Sequence, residues 1–216
     1  VLKAAETCKA MILVQGKKLL QVDDAKIVNM DVVAADGQSI SYADICMKSF
    51  YTEEQVQIMG TASHLSYDSP PPFNATFAEV EVDTLTGTTR VVKVVSVTDA
   101  GQIINPKMAE GQVEGAIPQS LGMALTEFMP FDEKGRFLNL DFNSYHIYTA
   151  QDMPEMVVRF AKSHEPTGPY GAKAVAEIPI NAPAPAVTNA IYNAVGVRIR
   201  HLPVQPEELL AKIQGD

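Results

Sequence analysis

Cysteine is scarce: Cys8 and Cys46 are the only two in 216 residues, and they lack Cys-x-x-Cys spacing. That pattern indicates neither a disulfide framework nor a zinc knuckle. It also leaves too few thiolates for an iron–sulfur cluster, which usually takes about four. A reducing, cytoplasmic setting is the expectation. There is no run of Lys and Arg, and the formal net charge is −9, so the clustered positive charge needed by a nucleic-acid surface or an anionic-membrane patch is missing. No apolar run approaches the roughly 18 residues of a membrane span. Common enzyme signatures are missing too. There is no Walker loop, no GxGxxG after a strand and no GxSxG, and His64, His146, His164 and His201 show no i,i+4 metal spacing. A small-molecule or protein partner is what these absences leave.

What the chain does have is apolar residues, 46% of the total, enough for one large domain or two small ones. It opens on Val1 inside a helical pattern rather than on Met, which suggests a fragment, a processed subunit or a truncated numbering. Apolar spacing predicts an amphipathic helix over residues 1–21. A strand over 27–33 should turn at Asp36-Gly37 into a second over 39–42, and Ser41 is placed to cap a helix carrying Asp44 in its first turn. This small α/β opening is expected to span residues 1–60. Pro70-Pro-Pro72 then forces an extended loop. Alternation over 73–82, a turn at 83–87 and a β-branched run over 90–97 read as an antiparallel hairpin whose second strand lies inside a sheet.

The longest helical pattern covers 107–128, with Pro118 expected to kink it. One face carries Ala109, Val113, Ala116, Ile117, Leu121, Ala124, Leu125 and Phe128. The other gathers Gly111, Gln112, Gly115, Gln119, Gly122 and Thr126. Each glycine in a helix costs about 1 kcal/mol relative to Ala, which a solvated face would not require. Close approach of a flat ligand and tight helix packing both fit. A hairpin over 128–138, strands at 156–161 and 197–200, a helix over 185–195 ended by Gly196, and a final helix starting at Pro206 complete the pattern.

Residues 168–179 are the most unusual stretch. Gly168-Pro-Tyr-Gly-Ala-Lys-Ala-Val-Ala-Glu177 combines glycines, small side chains and one carboxylate between prolines. Locally it reads either as a tight turn with an incidental acid or as a loop bringing backbone close to a ligand.

Taken together, several ordered motifs resemble the C-terminal part of the molybdenum-binding subunit of the xanthine dehydrogenase/aldehyde oxidase family. They are Gly111-Gln-Val-Glu-Gly115 with Gln119-Ser-Leu-Gly122, and the 168–177 loop followed by Ala184-Pro-Ala and Asn189-Ala-Ile-Tyr192. Phe77-Ala-Glu-Val-Glu-Val-Asp83, Asp99-Ala-Gly101, Ile104-Asn-Pro106, Ala150-Gln-Asp-Met-Pro154 and Gly196-Val-Arg-Ile-Arg-His-Leu-Pro203 fit the same pattern, so the likeness runs from about Val1 to Leu210.

The resemblance implies a mixed α/β (α+β) fold, with residues 61–216 forming the cofactor-facing part. It places Glu177 as the general base beside molybdenum, where a carboxylate screened from water by the loop can have its pKa raised. It makes Gln112 a cofactor hydrogen-bonding residue and brings the backbone of Lys173, Ala174 and Val175 close to the cofactor. The metal would be held by a pterin dithiolene, in a molybdopterin-type or cytosine dinucleotide cofactor, with no protein side chain as ligand. Iron–sulfur clusters and FAD would sit on partner chains, and another chain would carry the N-terminal half of the molybdenum subunit. The implied reaction hydroxylates an N-heterocycle or aldehyde carbon with oxygen from water. Two alternatives stay open beside it: a non-catalytic structural subunit that retains the fold, and a relative acting on CO or an acyl-CoA. Two departures stand out: Ala174 and Ala176 replace the family's usual glycines, and Tyr145-His-Ile-Tyr148 replaces its Tyr-Lys-Ile-Pro.

Overall fold

The computed structural model describes residues 1–53 and 55–215. They form two compact units, Val1–Tyr67 and Asp68–Asp216, where the sequence pattern placed the change at 60/61.

In the first unit, α1 (Leu2–Leu20) is followed by β1 (Ala25–Val28), β2 (Asp31–Ala34), β3 (Ser39–Ser41) and α2 (Tyr42–Phe50). The expected single strand over 27–33 is in fact two antiparallel strands. Asn29 and Met30 both take positive φ, +47° and +69°, and fold the chain back between them. The side chain of Asn29 tolerates this conformation, so one residue cut an alternation that otherwise looked continuous. Ser41 caps α2 as anticipated, its Oγ accepting from the Asp44 N–H at 3.1 Å. Ile12, Val32, Ile40 and Ile45 form this unit's core.

The second unit is built on a three-stranded sheet in the order β4 (Phe73–Val82), β5 (Thr89–Asp99), β6 (Glu155–Phe160). β4 and β5 are antiparallel. β5 and β6 are parallel, which requires a crossover connection, and α3 (Pro106–Leu125) lies within it. The β-branched run in β5 is therefore central to the sheet, as its apolar sequence indicated. Val91 and Val94 of β5 and Val158 of β6 join Val113, Ile117 and Leu121 of α3 in one core. Val187 and Ile191 of α4 (Pro183–Val195) and Leu209 of α5 (Pro206–Gln214) complete it.

α3 is shorter at its C-terminus than the apolar pattern suggested, and it continues through Pro118 as one helix. Its N-terminus is fixed by Asn105, whose Oδ1 accepts from the Met108 N–H at 3.1 Å. Two expected strand elements do not form. Residues 128–138 make only an isolated Phe131–Phe137 bridge, because Asp132 spends its carboxylate on the turn's own N–H groups and on Arg136. Residues 197–200 carry no sheet pairing among the described residues. Their half-buried positions, Val197 and Ile199, pack on the helical core instead of a ladder.

Candidate functional site

In sheets with parallel strands, ligands bind outside the strands' carboxyl ends. Here those ends are Asp99 of β5, with residues 100–105 leading into the N-terminus of α3, and Phe160 of β6, with the 161–180 segment beyond it. The two segments are tied together by backbone. The Gly171 carbonyl accepts from Gln102 N–H at 2.7 Å and from Glu165 N–H at 2.9 Å, and Lys173 N–H donates to the Ala100 carbonyl at 2.8 Å. Gly101 and Ala172 form the bridge between them. Residues 169–171 make a 3-10 turn in which Tyr170 takes φ +55°. Residues 178–180 make another 3-10 turn.

Gly101 cannot carry a side chain. Its φ is +67°, and a Cβ there would lie 2.3 Å from the Gly171 carbonyl oxygen and 2.8 Å from Lys173 N. The backbone of one segment fills the space the methyl would need.

Charge reinforces this join. Lys173 Nζ donates to Asp99 Oδ2 at 2.8 Å, with side chains only 10% and 23% exposed. Asp99 also accepts from the Ser163 hydroxyl and, at 3.2 Å, from Gly101 N–H. The hydrogen bond from Lys173, followed by those from Ser163 and Gly101, lowers the Asp99 pKa from 3.8 to about 2. Because the folded-state value lies below the unfolded one, the tie contributes stability above the unfolded value and loses it as pH falls through the folded one. Amide-exchange protection around Lys173 is therefore expected to hold from neutral pH down to about 3.8 and to fall as pH drops toward 2. Protection that declines already between neutral pH and 5 would contradict this.

Gln112 is in the second turn of α3, and its Nε2 donates to the Ala176 carbonyl at 2.9 Å. That bond braces the loop with one amide N–H and leaves the second N–H and the Oε1 of Gln112 for another partner. Gly111 and Gly115 have nothing within 4 Å of a would-be Cβ, whereas Gly122 is closed off by the Glu127 carboxylate. Packing within this unit therefore explains Gly122 but not Gly111 or Gly115. Gln112 and residues 172–176 line one side of a cavity of about 430 Å³ whose other side is Ala100 and residues 102–105. Hollows of about 600 Å³ beside Thr89 and Tyr148 and about 350 Å³ beside Phe137 and Leu140 contain none of the anticipated residues.

Glu177 lies at the rim of this arrangement, directly after Ala176, as the N-cap of the 178–180 turn with no side-chain cap hydrogen bond. It is exposed. This corrects the expectation that the loop itself screens the carboxylate: among the described residues nothing covers it. Among the described residues no acceptor takes the N–H of Ala174, Val175, Ala176 or Glu177, and no three His, Cys, Asp or Glu residues cluster to hold a metal ion.

Residues 1–154 match the family described as the molybdopterin cofactor-binding domain. The chain belongs to that family. Over 214 residues it is 33% identical to a probable hypoxanthine oxidase, XdhD, of Escherichia coli (strain K12), covering 98% of this chain and 22% of that protein. It is 38% identical to the aldehyde oxidoreductase molybdenum-binding subunit PaoC of the same organism over 143 residues, covering 65% of this chain and 20% of PaoC. The crystal structure of quinoline 2-oxidoreductase from Pseudomonas putida 86 superposes with a TM-score of 0.78 at 26% identity, covering 98% of this chain and 29% of that one. The mixed α/β fold is thus that of molybdenum-binding subunits of the xanthine dehydrogenase/aldehyde oxidoreductase type, and the molybdopterin-binding chain described here spans about a fifth of its curated relatives.

The free donors fit such a cofactor. A pterin is flat and rich in hydrogen-bond acceptors, and residues 174–176, whose N–H groups take no acceptor among the described residues, and Gln112, whose amide keeps an acceptor oxygen, all line the cavity. Ala174 and Ala176, the departures from glycine, take no positive φ, so their methyls fit this backbone without strain. Sequence reasoning used the Asp99-Ala-Gly101 motif only as a landmark. It missed the ion pair to Lys173, because a separation of 74 residues between partners leaves no local trace.

Proposed function

We propose that this chain supplies part of the molybdenum site of a hydroxylase that oxidises an N-heterocycle or an aldehyde. In this reading the Gln112 side chain and the main chain of Lys173, Ala174 and Val175 hold a molybdopterin-type cofactor, in its plain or its cytosine dinucleotide form. When bound, that cofactor supplies the two-electron redox centre and activates water as the source of oxygen. Glu177 is the general base, taking up the proton released as the new carbon–oxygen bond forms. A carboxylate at the loop's end, free of internal hydrogen bonds, is able to accept that proton.

The observation that carries the reading is the Gln112–Ala176 hydrogen bond at 2.9 Å. It brings two motifs separated by 64 residues to one cavity wall and leaves Glu177 next in the chain. Supporting it, Glu177 lacks a cover among the described residues, and the relatives are several times longer. The remaining part of the molybdenum subunit would close the pocket over Glu177 and exclude water. Iron–sulfur and flavin units on partner chains would take the electrons in the cytoplasm. Among the described residues no helix is long and apolar enough to cross a membrane. Metal and pterin analysis of the intact complex tests the reading: stoichiometric molybdenum with a bound pterin is expected, and a pure complex devoid of both overturns it.

A further inference from the structure

Residues 174–176 are slung between two anchors. Downstream, Gln112 holds the Ala176 carbonyl. Upstream, Lys173 is fixed twice to the end of β5, by its N–H on the Ala100 carbonyl and by its ammonium on Asp99. The ammonium also donates to the Pro71 carbonyl at 3.4 Å and stands 5.5 Å from the centroid of the Phe73 ring. Asp99 gathers Ser163, from the chain beyond β6. One ion pair thereby joins the entry to β4, the exit of β5, the exit of β6 and the loop. Val175 adds a hydrophobic pin, packing against the main core, yet among the described residues no acceptor takes an N–H between the anchors.

We propose, resting on the reading of the site given above, that Asp99, Lys173 and Ser163 are positioning residues that set where the 174–176 backbone and the Glu177 carboxylate stand. They act through the loop rather than on the reacting atoms. A loop without internal hydrogen bonds has many conformations of similar energy, and fixing its ends removes most of them. Proton transfer needs heavy atoms within hydrogen-bond reach, and a displacement of about 1 Å can cost about a hundredfold in rate. An ion pair serving stability alone has no need to sit on the loop that ends at Glu177.

The experiment separates positioning from stability. Removing one member strands a mostly buried charge and destabilises, whereas removing both together is often near neutral. The intact complex is prepared with Asp99→Ala/Lys173→Met, with Lys173→Arg and with Ser163→Ala. Each is assayed for molybdenum content, for turnover of hypoxanthine or benzaldehyde, whichever the complex oxidises, and for amide exchange over 174–177. For the double variant the expectation is normal folding and molybdenum content, kcat lowered about ten- to a hundredfold with KM within about twofold, and faster exchange at 174–177. Lys173→Arg should recover part of kcat, and Ser163→Ala should show a smaller loss of the same kind. Unchanged kcat and exchange in the folded double variant overturns the proposal. So does a loss of turnover in strict proportion to lost molybdenum, which would make the ion pair a retention device. Failure of Glu177 as the base would appear separately, as normal turnover in Glu177→Gln, while the exchange measurement would still read the anchoring of the loop.

Discussion

Glu177→Gln is expected to lower turnover of the intact complex by about two to four orders of magnitude, the usual contribution of a positioned general base, with molybdenum content unchanged. Glutamine keeps the shape and the hydrogen-bonding reach of glutamate and cannot take up the proton. The structure makes this a clean substitution. Glu177 is exposed and has no side-chain cap hydrogen bond, so among the described residues nothing leans on its charge. Substitutions at such positions usually change stability by less than about 0.5 kcal/mol. A loss of turnover could then not be assigned to misfolding. Turnover within about tenfold of wild type, measured at saturating substrate, would remove Glu177 from the role of base. A parallel loss of molybdenum would recast it as a residue that retains the cofactor.

The second large effect is expected at Gly101. Gly101→Ala should destabilise the fold by more than the roughly 1–2 kcal/mol that an L-residue pays for a left-handed conformation alone, and so lower the thermal midpoint, because the added methyl would also lie 2.3 Å from the Gly171 carbonyl oxygen. That neighbour is backbone and cannot swing aside. For it to move, the bonds from Gln102 and Glu165 to the same carbonyl must lengthen, and the loop carrying Lys173 and Glu177 moves with it. Gly135→Ala is the matched control, since Gly135 has φ +74° with open space where the methyl would go. It should pay the conformational cost alone. Thermal melts of the two variants decide the matter: equal shifts would mean that the Gly101–Gly171 contact relaxes freely. In the intact complex, Gly101→Ala should also reduce turnover, whereas Gly135→Ala should leave it near wild type.

Much of the candidate site was legible in the sequence because its parts are short and local. Gln112 stood out on a helix face with more glycine than a solvated surface tolerates, and Glu177 was the single acid in a loop of small residues. The central position of β5 followed from a β-branched run too apolar for a strand wet on one face. Ser41 and Gly196 marked a helix start and a helix end where the structure has them. Local reading failed where a distant or unexpected partner decided the outcome. The alternation over 27–33 was cut by positive φ at Asn29 and Met30. The pattern over 197–200 was that of a strand, but it packs on the core without a ladder.

The sequence by itself determined the family, the mixed α/β class, the helix that carries Gln112 and the identity of the loop carboxylate, since motif spacing and hydrophobic period depend only on neighbours along the chain. Tertiary structure alone decided that Gln112 braces Ala176, that Lys173 and Ser163 both reach Asp99, and that Glu177 stands exposed at the cavity's edge. Those contacts join residues far apart in sequence, and they arise only because β5, α3 and β6 bring their ends to the same side of one sheet.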